Sequence, residues 1–252
     1  LDIFLPDHKL AIEYNGIMFH SFGKSDYSMF NNEHEESERK YEHINKTEEC
    51  EKQDIQLLQI FEDEWINKLG LSEKIYGRKC EIREIDNDTK RQFLEFNHLQ
   101  GDDKSSIRLG LFHNNELVSV MTFGKSRYNK HYQYELLRFC SKQNTVITGG
   151  ASKLFKYFIK KYQPKSVISY ANRRWSNGNV YRKIGFKEIN RTEPNYFYFD
   201  KSLILKSRIQ FQKHKLKTLP FYDDNLTETE IMYLNNYRKI YDCGNIVFAF
   251  EQ

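Results

Sequence analysis

Short apolar runs separated by turn residues open the chain and predict a β-hairpin. Residues 3–5 and 10–14 flank the turn 6–9, which begins with a proline whose restricted φ angle suits that position. Residues 33–52 are almost all charged or good helix formers, which predicts a long exposed helix. The mostly apolar run 55–61 then predicts a buried strand.

The pattern changes beyond residue 75 and predicts a second set of helices and strands. Apolar runs on either side of His113-Asn114-Asn115 predict a hairpin, because asparagines favour tight turns between strands. The other predicted elements are an amphipathic helix at 89–98, a strand at 134–140, a glycine turn at 148–152, a helix at 153–162, a strand at 166–171, a short helix at 179–184 and a closing strand at 196–199.

Composition indicates a folded protein with more than one domain. The chain has 252 residues, of which 39% are hydrophobic and 15% aromatic, so it can bury a sizeable core. Neither a membrane-spanning apolar run nor a signal peptide is recognisable, and we expect a soluble, cytoplasmic protein with no membrane partner. The first residue is a leucine within a predicted strand, so we expect a further segment upstream.

The cysteines argue against a zinc site or a disulfide framework. All four are widely separated and none forms a C-x-x-C pair: Cys50, Cys80, Cys140 and Cys243. We expect them to be small buried apolar residues in a reducing compartment.

Charge is distributed unevenly along the chain. Residues 1–75 hold 8 Lys and Arg against 17 Asp and Glu, whereas residues 76–252 hold 31 against 18. Because Lys and Arg release counterions from nucleic-acid phosphates, the second part is expected to provide affinity for double-stranded DNA.

Candidate catalytic groups cluster around the first hairpin. A tight hairpin places Asp2 beside Glu13, and a turn at Gly16 lets the imidazole of His20 reach the same point. Carboxylates and an imidazole suit a hard divalent metal and a water-activating group, as phosphodiester hydrolysis requires. Structural roles remain open for each residue: Asp2 as a turn cap, Glu13 as a partner of Lys9, and His20 as a semi-buried histidine.

These residues resemble a nuclease family. Asp2, followed by Glu-Tyr-Asn-Gly-x-x-Phe-His from Glu13 to His20, resembles the Vsr-like branch of the PD-(D/E)xK nucleases, most of all the EDxHD homing endonucleases of bacteriophages. The resemblance covers roughly the first 70 residues and implies a phage-encoded, metal-dependent DNA endonuclease acting in a bacterial cell. It further implies that Asp2 and Glu13 hold Mg²⁺ or Mn²⁺, that His20 moves the proton, and that Asp63 orients His20.

Two further residues enter through this resemblance. Asn15 stands where the family motif has a lysine, so Lys46 on the predicted helix is a candidate for restoring the positive charge, with His43 beside it on the same helical face. A solvated helix face with ion pairs is the structural alternative. Related families also use a glutamate upstream of this point.

The later part resembles the GNAT acetyltransferases. The order of helix, meander, glycine turn, helix and strand, together with Val-Tyr-Arg-Lys-Ile-Gly-Phe-Lys at 180–187, carries this resemblance. It implies a pyrophosphate loop at Gly149-Gly150-Ala151, but Val146 stands where the family has Arg or Gln. We therefore expect no small-molecule cofactor. An acyltransferase or base-modifying enzyme, and a non-catalytic DNA-binding protein, remain the alternatives to the endonuclease.

The overall prediction is a mixed α/β protein with a Vsr-like nuclease core at 1–75, a GNAT-like α/β domain at 76–200 and a basic appendage at 201–252. Guanidinium and aromatic groups adjoin in one loop, which predicts a contact with phosphates and bases, and a basic segment follows. The predicted DNA-binding residues are Arg173, Arg174, Trp175, Lys206, Arg208, Lys213, Lys215 and Lys217. A surface cation–π cluster and a membrane-surface helix are the alternatives for these two segments, and the oligomeric state stays open.

Overall fold

The computed structural model describes residues 1–15, 33–61 and 73–252, without the side chains of 33–39. Its helices are α1 Glu33–Lys52, α2 Asn87–Asn97, α3 Gly150–Tyr162, α4 Asn179–Lys183 and α5 Glu228–Leu234. Its strands are β1 Ile3–Leu5, β2 Leu10–Asn15, β3 Gln56–Phe61, β4 Glu73–Tyr76, β5 Glu81–Glu84, β6 Ile107–His113, β7 Glu116–Lys125, β8 Tyr134–Ser141, β9 Thr145–Thr148, β10 Ser166–Asn172, β11 Lys187–Arg191, β12 Tyr196–Phe199, β13 Lys206–Ser207, β14 Arg238–Tyr241 and β15 Asn245–Glu251.

The chain divides into two compact units, neither of which is continuous in sequence. The first unit comprises Leu1–Asn67, Asn172–Asn177 and Thr192–Asn245, and the second comprises Lys68–Ala171, Gly178–Arg191 and Ile246–Gln252. The predicted mixed α/β class is confirmed. Among the described helices, none combines the length and the apolar character that crossing a membrane requires.

The first unit contains a small sheet of order β1-β2-β3. β1 and β2 form the predicted antiparallel hairpin, with Ile3 opposite Ile12. β2 and β3 run parallel, which requires a crossover, and α1 provides it over the predicted range. A second sheet of order β13-β12-β14 belongs to the same unit, and a capping box at Thr227 begins α5.

The second unit is built on a seven-stranded sheet of order β11-β15-β10-β8-β7-β6-β5. The predicted β6–β7 hairpin is confirmed, and its turn residues Asn114 and Asn115 have φ angles of 50° and 63°, a conformation that asparagine tolerates well. α3 packs on this sheet through Leu154, Phe155 and Phe158, and these side chains join one large apolar core.

The domain organisation differs from the predicted boundaries. The region 201–252 is not a separate appendage, because residues up to 245 belong to the first unit whereas β15 is a central strand of the seven-stranded sheet. β12, predicted to close the GNAT-like part, pairs instead with β13 and β14. The local pattern predicted the position of β12 correctly. The sheet that it joins depends on pairing with strands far away in the sequence.

Candidate functional site

The two carboxylates of the predicted metal site are engaged in contacts within the protein. The hairpin does bring Asp2 and Glu13 to neighbouring positions, but the Asp2 carboxylate accepts a 2.6 Å hydrogen bond from the backbone N–H of Tyr14. Glu13 is buried and pairs with the Lys46 ammonium at 2.5 Å. Lys46 therefore neutralises a buried carboxylate instead of facing a phosphate.

The neighbouring polar groups form an internal network. The side-chain amide of Asn15 donates to the Gln59 side chain at 2.7 Å, and Gln59 donates to the backbone carbonyl of His43 at 3.2 Å. The His43 ring is buried 5.2 Å from the ring of Phe61. His20 and Asp63, the predicted proton carrier and its orienting group, lie outside the described residues. Within the described ranges, no three His, Cys, Asp or Glu side chains are arranged to hold a metal ion.

The predicted DNA-contacting arginines lie in the interior of the first unit. Arg173 pairs with Glu48 at 3.3 Å and Glu51 at 3.0 Å, and its side chain is 1% exposed. The Arg174 guanidinium lies 3.8 Å from the centroid of the Phe61 ring, which realises the cation–π alternative as a buried contact. Both arginines therefore stabilise the unit and present no free surface to a polyanion.

The other predicted DNA-binding residues are half-buried or exposed. Trp175 is half-buried, and Lys206 pairs with Asp200 at 2.5 Å. Lys213 and Lys215 donate to the backbone carbonyls of Asp224 and Ile209. Arg208 and Lys217 are exposed, and the whole stretch forms short 3₁₀ turns, not one amphipathic helix.

The second unit has an irregularity at the centre of its sheet. In β8, Leu136 lies opposite Phe123 and Arg138 lies opposite Thr122, so Leu137 is an extra residue. Such a bulge bends its strand and increases its twist. The bend falls in the middle of β8, next to the strand with which β8 runs parallel.

The described ladder between β8 and β10 ends just before this bulge. Their ladder, as far as the structure describes it, has two pairs, Tyr134 with Val167 and Glu135 with Ile168. At the next position the Ser169 hydroxyl donates to the Leu136 carbonyl at 3.0 Å, so a side chain replaces the backbone ladder. We call the diverging segments 137–141 and 169–171 the strand gap. Backbone groups along a gap of this kind can pair with an extended ligand that carries amides.

A glycine pair leads from β9 into α3 of the same unit. Gly149 has a φ angle of +77°, which favours glycine, and a Cβ built on it would meet no heavy atom within 4 Å. A Cβ on Gly150 would lie 2.8 Å from Ile147 Cγ2. The amides that begin α3 lack carbonyl partners within the helix, and the helix dipole makes this end partly positive. A phosphate group fits such a position.

Tyr181 of α4 places a proton donor next to the strand gap. Its hydroxyl is hydrogen-bonded to Ser169, and burial raises the pKa of Tyr181. Its ring stacks on Phe248 with centroids 5.0 Å apart. Tyr181 therefore keeps its proton at neutral pH and is held in one orientation. The residue was missed as a site residue in the sequence, although it lies in the segment 180–187 that carries the GNAT resemblance.

A buried polar cluster lies on β7 and β8 of the same unit. The Lys90 ammonium is fully buried and lies 2.6 Å from Asp102 Oδ1 and 3.4 Å from Asp103 Oδ1. The Thr122 hydroxyl donates to Asp103, and the guanidinium of Arg138 donates to the Leu137 carbonyl at 2.8 Å. Burial lowers the pKa of Arg138, and the charge of Asp103 opposes that shift. These contacts hold the bulge of β8 in place.

The cysteines do not offer a nucleophile. All four are free, and burial raises the pKa of each, that of Cys140 to about 12 and that of Cys243 to about 11. Since the thiolate is the reactive form, these thiols are inert at neutral pH.

Comparison with known proteins gives weak similarity to acetyltransferases. No protein-family model and no curated protein matches the sequence. Solved structures that are similar include a Bacillus subtilis acetyltransferase in complex with CoA (14% identity, 69% of this chain and 99% of that chain, TM-score 0.38) and a GNAT family acetyltransferase from Elizabethkingia anophelis with acetyl-CoA bound (12%, 69% and 99%, 0.39). A third is the ribosomal-protein-S18-alanine N-acetyltransferase from Escherichia coli (9%, 68% and 93%, 0.38). At these values the similarity does not assign an activity to this chain.

Several predictions about function are nevertheless wrong. A magnesium-dependent DNA endonuclease with double-stranded DNA as partner and no small-molecule cofactor is contradicted: the similar structures are acetyltransferases, two of them with CoA or acetyl-CoA bound. The contacts agree with this correction, because Asp2 and Glu13 are engaged by Tyr14 and Lys46. No similarity supports the Vsr-like nuclease core.

Proposed function

We propose that the second unit is a GNAT-type acyltransferase that takes its acyl group from acyl-CoA. The observation that carries this proposal is the strand gap, where parallel strands separate after two pairs beside a glycine turn that begins a helix. Pantetheine is an extended chain with two amides, and the phosphates of CoA need a cluster of backbone N–H groups. The residues present therefore fit the two ends of such a ligand.

The fit to a phosphate rests on the glycine pair. Open space beside Gly149 allows close approach to the backbone, and its positive φ angle disfavours any other residue. Gly150 is required for a different reason, since a side chain there would strike Ile147. The edge of β8 beyond the bulge would hold the amide-bearing arm by backbone hydrogen bonds.

The chemistry follows from groups at the gap. Bound acyl-CoA supplies a thioester, whose carbonyl carbon an amine or hydroxyl can attack. Tyr181, which burial keeps protonated, holds a proton at its Oη for a leaving thiolate. Ser169, whose own O–H donates to the Leu136 carbonyl, accepts a hydrogen bond from this hydroxyl and fixes its position. Because the cysteines are protonated, transfer to the acceptor is direct.

Binding and turnover of CoA thioesters test this proposal. We expect CoA to bind the wild-type protein in isothermal titration, and acetyl-CoA to be consumed with a panel of amines, monitored by free thiol release. Tyr181→Phe removes only the hydroxyl, so kcat falls about tenfold or more while the Kd for CoA stays within about twofold.

Tyr157→Phe on α3 is the matched control and should leave both quantities unchanged. Failure of the wild-type protein to bind CoA at millimolar concentration would refute the proposal. Equal turnover of Tyr181→Phe and wild type would refute the role of Tyr181.

A further inference from the structure

The β4–β9 pair forms a two-stranded ribbon with distinct faces. The strands run parallel, with Lys74 opposite Val146 and Tyr76 opposite Thr148. Ile75 and Ile147 point to the other face and join the apolar core of the second unit. Because side chains alternate along a strand, the outward face carries Lys74, Tyr76, Val146 and Thr148, and we call it the ribbon face.

The ribbon face carries an exposed aromatic ring between two cations. Tyr76 is 41% exposed. The Lys74 ammonium lies 5.5 Å from the centroid of the Tyr76 ring, and the Arg78 guanidinium lies 5.2 Å from it. An aromatic face flanked by positive charges suits a planar base joined to phosphates.

These cations differ from several others in the unit. Lys142 pairs with Glu116, Lys161 with Glu84 and Arg182 with Glu188. In the described part of the chain, neither Lys74 nor Arg78 has a carboxylate within ion-pair distance. Both residues are exposed, so an anion from solution can reach their charges.

The ribbon face adjoins the glycine pair at the start of α3. A Cβ built on Gly77 would lie 3.1 Å from the Gly149 carbonyl carbon and 3.1 Å from the Gly150 nitrogen, so the two backbones are in contact. Lys153 holds the turn in place, because its ammonium donates to the carbonyls of Gly77 and Cys80. Arg78 follows Gly77 directly, so its backbone adjoins the segment that contacts the glycine pair.

Resting on the acyltransferase proposed above, we infer that the ribbon face binds the nucleotide end of CoA. Tyr76 stacks on the adenine, and Lys74 and Arg78 neutralise its phosphates. The loop 145–150 contains no Lys or Arg, and its position 146 is a valine. A separate segment of the chain, which holds Lys74 and Arg78, provides the positive charge that this loop lacks. The site is assembled from two segments about 70 residues apart, which are brought together by the β4–β9 pairing and by the contact of Gly77 with the glycine pair.

Three probes in isothermal titration test the inference: CoA, adenosine 3′,5′-bisphosphate and pantetheine. The loss of one charge-assisted contact is expected to weaken CoA binding about tenfold in Arg78→Gln and Lys74→Gln. Loss of stacking in Tyr76→Ala is expected to weaken it about tenfold as well. All three variants should weaken adenosine 3′,5′-bisphosphate similarly and leave pantetheine unchanged.

Arg91→Gln on α2 is the matched control, because Arg91 is an exposed arginine that pairs with Asp88 and is not part of the ribbon face. This variant should bind all three probes like wild type. If wild type binds CoA but the ribbon-face variants bind it equally well, the inference is wrong and the acyltransferase proposal stands. If the wild-type protein binds no CoA, the acyltransferase proposal fails and the inference fails with it.

Discussion

Both units bury charged groups, but their apolar cores differ in extent. The first unit has several small apolar clusters and pairs buried charged groups with half-exposed partners, Glu13 with Lys46 and Arg173 with its two glutamates. The second unit buries one large apolar core in which the rings of Phe123 and Phe158 stack with centroids 3.6 Å apart. In that unit the described ladder between β8 and β10 ends after two pairs.

This difference shows how a polar cluster can mislead. Carboxylates on a hairpin with a histidine and a lysine on the neighbouring helix suggest chemistry when only their types are known. In the structure Glu13 and Lys46 neutralise each other, and such a pair contributes to stability only while both partners are present. The proposed site has few charges and depends instead on strand geometry, a glycine turn and one tyrosine hydroxyl.

Phe123→Ala should produce the largest effect and tests the apolar side of the comparison. Removing a fully buried ring that stacks on Phe158 is expected to lower the free energy of unfolding by about 3–5 kcal/mol. Urea denaturation followed by circular dichroism measures the change. Phe96→Ala is the control, because Phe96 is 71% exposed and its loss should cost less than about 0.5 kcal/mol. Equal effects of the two changes would contradict a packed core around Phe123.

Arg173→Met tests the polar side of the comparison, with a smaller expected effect. It leaves Glu48 and Glu51 without their shared cation, and we expect a loss of about 3 kcal/mol in the same denaturation experiment. Glu48 is about half exposed, so water offsets part of the cost. Arg191→Met breaks an exposed pair with Glu188 and should cost about 0.5 kcal/mol. If Arg173→Met lowered the free energy of unfolding by only as much as Arg191→Met, the ion pairs of Arg173 would be dispensable.

Alkaline pH compares one thiol from each unit, the half-buried Cys140 and the buried Cys243. Burial raises the pKa of Cys140 to about 12 and that of Cys243 to about 11, from an ordinary value of 9.0. Below pH 9 both states keep these protons. As the pH rises from 9 towards these raised values, only the unfolded chain loses them, so the free energy of unfolding falls.

The slope of stability against pH above 9 measures this effect. Cys140→Ala and Cys243→Ala should each flatten the slope of the free energy of unfolding against pH. The effect of Cys140→Ala should extend over the wider pH range, because the pKa of Cys140 is the higher of the two. A slope identical to wild type in both variants would mean that neither thiol resists ionisation in the folded state.

Local patterns in the sequence determined most elements of both units. The β1–β2 hairpin, α1, the Asn114-Asn115 turn and the capping box at Thr227 all depend on residues close in sequence. Alternation of period two and helix-capping residues act over a few positions, so they can be identified without the fold. The site residue Tyr181 was within reach of such a pattern, since it lies in a short motif.

Only the tertiary structure decided which segments meet. Lys46 could face a phosphate or neutralise Glu13, and the sequence is compatible with both until α1 packs against β2 and β3. The same holds for β15 joining the second unit and for the bulge at Leu137. A residue's own neighbours set its backbone preference, but its electrostatic partner and its strand register depend on chain segments far away, whose arrangement is a property of the whole fold.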